Sequence, residues 1–351
     1  MFISAISIIF TFGIIIFLHE LGHFIIARAQ KVRVEKFAFG FGPEIFGKTI
    51  GPTRYSICIF PLGGMVKLAG EQIEEIKGEK DEFFSKPWYS RIFIVGAGPF
   101  MNYVLAMIFF FITIFFWGIG TPSNKPIIGE IRAGMPAERA GLKPGDIILT
   151  IDGEKIQTWQ DMASIIHKKG NQKTKIEIKR EDKVLVFELI PEIDRNLKIG
   201  LIGIMPEVKV EKVGILKSFL LSIEHTIAVS IVYIQYILEK IMKLEKPEVA
   251  GPIGIAQIVA QTAKTGLSSL LILIGRISVM VGLLNLFPIP LFDGGHIMFY
   301  TIEGLITKKP ASKKVLEIAN FIGLVIIISI FLFAFYSDFQ RLGFFSFFKI
   351  K

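Results

Sequence analysis

The sequence predicts a polytopic α-helical membrane protein with four transmembrane helices, a membrane-associated β-hairpin element and one α+β domain outside the cytoplasm. Three observations carry that expectation. Apolar residues make up 52% of the 351-residue chain and gather into long runs. Mean hydropathy is +0.56, above what a soluble chain of this length carries. Between the second run and residues 219–238 lies a polar stretch, residues 121–206, with strand and turn signals.

The first run, MFISAISIIFTFGIIIFL at residues 1–18, is long enough to span a bilayer. No basic n-region opens it and no A-x-A-like site follows, so it reads as a retained helix continuing to about Arg28. The second run covers residues 92–119, where Gly96, Ala97 and Gly98 let another helix approach closely. The third covers residues 267–287, interrupted by Arg276, and the fourth residues 321–335. A further stretch, residues 219–238, contains Glu224, His225 and Gln235. One charge inside a bilayer costs about 2.5–3.5 kcal/mol, so composition allows either a span or a surface helix there.

Basic residues orient the chain. None precedes the first run, whereas Arg28, Lys31, Arg33 and Lys36 follow it, and Lys308, Lys309, Lys313 and Lys314 follow the third. The positive-inside rule then puts the N-terminus outside, residues 29–90 in the cytoplasm and the polar domain outside. The domains expected are 1–120, 121–206, 207–266 and 267–351.

The polar domain reads as strands in PIIGEIRAG, GDIILTIDGEKI and KTKIEIKREDKVLVFELIP, with a helix at WQDMASIIHKKG. Residues 36–70 have β-hairpin chemistry: TRYSICIF and MVKLAG stand either side of Pro61, Gly63 and Gly64. The net charge of +9 does not form a basic stripe with interleaved aromatics, which excludes nucleic acid as the expected partner. The lysines and arginines flank apolar runs instead, where they meet anionic lipid of the bilayer. Cys58 is the one cysteine, so no intramolecular disulfide forms, and it reads as a small apolar residue.

The sharpest motif is His19-Glu20-Leu21-Gly22-His23, an H-E-x-x-H. Helical spacing puts both imidazoles on one face, within reach of one ion, and leaves Glu20 to take a proton from a metal-bound water. Such a cluster abutting an apolar run is expensive without a function. A third ligand is needed. The segment NLFPIPLFDGGH, Asn285 to His296, breaks helical bonding with two prolines and two glycines just after the third run. Asp293 is the first candidate there and His296 the second.

HELGH at the end of a first span, AGPFMN in a second and NLFPIPLFDGGH after a third resemble the site-2 protease family of intramembrane zinc metalloproteases. The nearest likeness is to its bacterial group with a PDZ domain between spans two and three, and it covers nearly the whole chain. The resemblance implies zinc (Zn2+) on His19, His23 and Asp293, with Glu20 as general base; Phe292 stands where leucine is usual. It assigns Asn285 to the substrate backbone or the developing oxyanion, against the plainer role of satisfying freed backbone groups. It makes the β-element around Gly63, Gly64 and Met65 a holder for an unwound substrate strand. AGMPAERAGLKPGDIILTIDGEKI is similar to a PDZ domain, whose carboxylate loop would fall at Gly200, Leu201, Ile202 and Gly203. The implied substrates are single-pass membrane proteins, trimmed beforehand by another protease, in a bacterial inner membrane. If Asp293 meets the two histidines, the chain crosses an even number of times between the second and third spans, which puts residues 219–238 on the membrane surface. Two rival classes stay open: a scaffold that uses the PDZ domain alone, and a metal transporter with ligands strung through the bilayer.

Overall fold

A computed structural model describes residues 2–194, 197–243 and 250–342. The chain forms two compact units, Met1–Ile114 with Gly214–Lys351, and Phe115–Val213.

In the first unit α1, Phe2–Ala29, is one continuous apolar helix. It buries Ser7, Thr11 and Ile15 at one-turn spacing, and the Thr11 hydroxyl donates to the Ser7 carbonyl at 2.7 Å, which satisfies that hydroxyl within its own helix. Two long strands follow, β1 (Val34–Ile50) and β2 (Thr53–Leu68). Their turn is at Gly51, whose φ of 59° needs glycine, and not at Pro61-Gly64 as the sequence suggested. Those residues lie inside β2, at the place where it changes ladders. Arg54–Ile57 pair on one side with residues 46–49 and on the other with Lys36–Phe39, whose far side pairs with Gly64–Lys67. Phe37 thereby has a partner on either side, Val66 and Tyr55. The other edge of residues 64–67 has no strand partner among the described residues. Next, α2 (Trp88–Trp117) carries Pro99 within it and buries Ala97, Gly98, Asn102 and Ala106.

The second unit begins with β3 (Ile119–Pro122), β4 (Ile128–Ile131) and α3 (Pro136–Ala140). Then come β5 (Ile147–Ile151), β6 (Glu154–Lys155) and α4 (Trp159–Lys168). It closes with β7 (Thr174–Arg180), β8 (Lys183–Leu189), β9 (Glu192–Ile193), β10 (Gly200–Leu201), β11 (Ile204–Pro206) and β12 (Val208–Glu211). A sheet in the order β6-β5-β7-β8 is flanked by the pairs β9-β10, β4-β11 and β3-β12. Alternation in TKIEIKR sends Ile176 and Ile178 inward, where they meet Ile148, Ile151, Met162 and Ile166. A capping box between Thr158 and Asp161 starts α4. The pair β3-β12 lies largely beyond the 121–206 limits read from composition, because its strands are too short to signal alone.

The first unit resumes with α5 (Ile215–Met242), α6 (Pro252–Thr265) and α7 (Leu267–Asn285). It ends with α8 (Asp293–Ile302) and α9 (Lys313–Arg341). Five described helices are long and apolar enough to cross a membrane: α1, α2, α5, α7 and α9. Residues 219–238 fall within α5, whose Val229 and Tyr233 pack with Ala106, Phe110 and Val279 of α2 and α7. His225 sits edge-on to Phe110 at 4.5 Å between ring centres. Arg276 lies beside it, its carbonyl accepting from the Tyr233 hydroxyl at 3.4 Å. The α2–α7 seam is close and antiparallel: Gly275 faces Phe110, the Ser278 hydroxyl donates to the Asn102 carbonyl at 2.8 Å, and Gly282 faces Pro99. Asp338 of α9 caps α6, accepting from the backbone N–H groups of Gly251, Ile253 and Gly254 at 2.9–3.0 Å.

Candidate metal centre

Helical spacing in α1 places His19 and His23 one turn apart, with their Nε2 atoms 3.2 Å from each other. Asp293 opens α8 after a break containing Pro288, Pro290 and Leu291, the last at φ 79°, a strained value for leucine. Its Oδ2 stands 3.2 Å from His19 Nε2 and 3.7 Å from His23 Nε2. A tetrahedral ion with bonds of about 2.0–2.1 Å holds its ligands about 3.3–3.4 Å apart, so these separations fit zinc without rearrangement. Asp293 Oδ2 is buried with no hydrogen-bond partner, a cost that a cation at the centre of the three would remove. Among the described residues this trio is the one group of three or more with such converging ligand atoms.

The outer partners point the same way. His23 Nδ1 lies 2.9 Å from the Ile94 carbonyl, which can only accept, so the proton is on Nδ1 and the Nε2 lone pair faces the centre. Asn102 of α2 reaches His19 Nδ1 at 3.2 Å, while its Oδ1 is buried and unpartnered. The two ends of an amide are assigned from their hydrogen bonds. With a metal on Nε2, His19 Nδ1 carries the proton and Oδ1 of a turned Asn102 accepts it, which satisfies that orphan as well. Gly98 makes room for both rings: a Cβ there would stand 2.3 Å from His23 Nε2 and 2.8 Å from His19 Cε1. Gly22 meets the Ala97 carbonyl with no more space, at 2.3 Å from its own missing Cβ. Asn102 lies in the AGPFMN motif, and an asparagine inside an apolar helix is the one signal in the sequence that marks it.

A cavity of about 490 Å³ joins Glu20, His23 and Asp293 to Gly64, Met65 and Val66 on the free edge of β2. Gly64 is tight against the acid, since a Cβ there would be 2.5 Å from Glu20 Cγ. His296 lines the cavity and stacks on Tyr300 without joining the trio. Gly63 is not brought to this cavity and packs under the Phe41 ring. Asn285 is not brought there either: its amide donates to the Val281 carbonyl at 3.1 Å, the helix-end role weighed against the oxyanion role. In the second unit, Leu201, Ile202 and Gly203 line a small groove with Met162, Ile166 and His167. Gly200 packs against the Ile166 carbonyl. Cys58 is buried in β2.

Asn102→Ala is expected to weaken zinc affinity by about 10–100-fold, the usual cost of losing an outer-shell partner. Competition with a coloured chelator measures it, and an unchanged affinity would remove Asn102 from the site.

The sequence profile described as Peptidase family M50 matches residues 7–330. A protein of Rickettsia conorii, named as a candidate zinc metalloprotease, is 34% identical over 97% of this chain and 99% of its own length. The regulator of sigma-W protease RasP of Bacillus subtilis is 28% identical, over 97% of this chain and 99% of its own. A solved PDZ domain of an SdrC-like protein from Listeria monocytogenes is 27% identical, covering 24% of this chain and 90% of that one, with a TM-score of 0.21.

Proposed function

This chain belongs to peptidase family M50, and from that premise we propose that it cuts peptide bonds within or near the transmembrane segments of single-pass membrane proteins. It is a multi-pass membrane protein and a zinc metalloprotease of the site-2 type. The observation that carries the intramembrane reading is the convergence of His19, His23 and Asp293 on one point, with Glu20 and a free strand edge opening on the same cavity.

His19 and His23 of α1 and Asp293 of α8 would hold the zinc. When bound, it supplies a Lewis acid for the scissile carbonyl and lowers the pKa of water at the site. Glu20 accepts a proton from the attacking water and delivers it to the amide nitrogen as the carbon–nitrogen bond breaks. Ile94 and Asn102 keep the imidazoles in the tautomer that frees Nε2. Residues 64–67 pair with the substrate, which must leave its helix before a carbonyl can be reached. Gly64 keeps that strand against Glu20; Gly63 and Asn285 act at one remove, through the bend in β2 and the end of α7.

The topology we propose has the N-terminus and residues 121–206 outside a bacterial inner membrane and the metal nearer the cytoplasm, as the basic residues after α1 and α8 indicate. α7 is antiparallel to α2, so α5 and α6 together make no net crossing: α5 either lies along the surface or descends, with α6 returning. Residues 121–206 act as a PDZ-type filter, with Gly200–Gly203 as its carboxylate loop, and admit substrates already trimmed by another protease. The purified protein in proteoliposomes should cut a single-pass segment with a short outer stub faster than the same segment with a folded outer domain. Equal rates would remove the filter; cleavage of neither would remove the protease reading.

A further inference from the structure

α2 begins with a buried arginine that the chemistry above does not use. Arg91 is 3% exposed. Its Nη2 donates to Glu303, which is itself largely buried at 14% exposed. Nε and Nη1 are buried with no hydrogen-bond partner. The guanidinium carbon lies instead 4.6 Å from the Tyr300 ring centre and 5.2 Å from that of Phe84. Burying a cation this way is costly, and the flat, weakly hydrated guanidinium is the side chain suited to it.

What Arg91 grips is the far end of the helix that begins with Asp293. Tyr300 is in the last turn of α8, and Glu303 opens the π-helical turn that follows it. One turn before Arg91, Trp88 closes on Gly304, where a Cβ would meet the indole at 2.1 Å. Tyr300 in turn stacks on His296, at 6.2 Å and 25°. At the near end, Gly294 and Gly295 press on the Leu286 and Ile289 carbonyls, 2.2 and 2.4 Å from their missing Cβ atoms. α8 has 10 residues, about 15 Å, too short to flex between two such anchors. The same α2 carries the Ile94 carbonyl that fixes His23 and the Asn102 that fixes His19. One helix, α2, therefore contacts the elements that carry all three metal-facing side chains.

We propose that Arg91 is a positioning residue for the metal centre: through Glu303 and Tyr300 it sets α8, and with it the Asp293 carboxylate, in register with the two histidines held by α2. This rests on Asp293 being a metal ligand, as proposed above.

The test compares zinc release to excess chelator for wild type, Arg91→Gln, Glu303→Gln, the exchange R91E/E303R and Asp293→Asn, all below their melting midpoints, with kcat and KM measured alongside. The single variants should release zinc about ten-fold faster or more and lose kcat with little change in KM, and the exchange should recover part of both. A pair that only braces the fold would lower the melting midpoint and leave zinc release and kcat at wild type, which overturns the proposal. If Arg91→Gln does not accumulate, Arg91→Lys keeps the charge without the flat stacked fork, and zinc release at the wild-type rate in that variant overturns it equally. Asp293→Asn separates the two claims. If it holds zinc as wild type does, the ligand assignment falls and takes the positioning role with it; if it releases zinc while the Arg91 and Glu303 variants do not, only the positioning role falls.

Discussion

Glu20→Gln should slow cleavage by about 10²–10⁴-fold while leaving zinc bound. The glutamine keeps the length and shape of the side chain beside Gly64, so neither the strand edge nor the α1 spacing of His19 and His23 is disturbed. It cannot take up a proton, and a positioned general base is worth about 10²–10⁴-fold in rate. Proteolysis of a single-pass substrate should fall by about that factor, with the zinc content of the purified protein unchanged. Loss of zinc together with activity would make Glu20 a structural residue of the site, and full activity would remove it from the chemistry.

Asp293→Asn should have the opposite signature, losing metal first and activity in consequence. The substitution removes the one anionic ligand from a trio whose other members are neutral imidazoles, in surroundings where Asp293 is 17% exposed and its Oδ2 has no other partner. Zinc affinity should drop by more than the roughly 10–100-fold that outer-shell changes cost. His296→Ala is the matched control. That ring stacks on Tyr300 outside the trio, so zinc should be retained. Retention by Asp293→Asn with loss in His296→Ala would exchange the two assignments.

The convergence of His19, His23 and Asp293 was legible because its chemistry is local: H-E-x-x-H fixes two side chains by helical spacing, and NLFPIPLFDGGH announces a broken helix with a carboxylate in it. What joins those segments was not legible. His19 and Asn102 are 83 residues apart, and Arg91 and Glu303 are 212 apart, with no periodicity to tie them. Arg276, which stood out in the sequence as a charge in an apolar run, is exposed on α7, whereas the buried Arg91 sat unremarked at a helix start where arginines are ordinary. The sheet misled through Pro61, Gly63 and Gly64. Such residues usually end strands, but here they let one strand cross between two ladders. Residues 219–238 were ambiguous because Glu224, His225 and Gln235 dilute the apolar signal; packing on α2 and α7 is a tertiary fact. A transporter would need ligands at successive depths, and the described residues hold one converging cluster.

The central claim is that the cut falls inside the membrane segment. Mass spectrometry of the fragments released by the zinc-loaded protein from a single-pass peptide in proteoliposomes tests it most directly, with Glu20→Gln protein as the blank. The account predicts new termini within the apolar segment, in its cytoplasmic half, absent from the blank. Termini confined to the polar flanks, or the same fragments from Glu20→Gln, would contradict it.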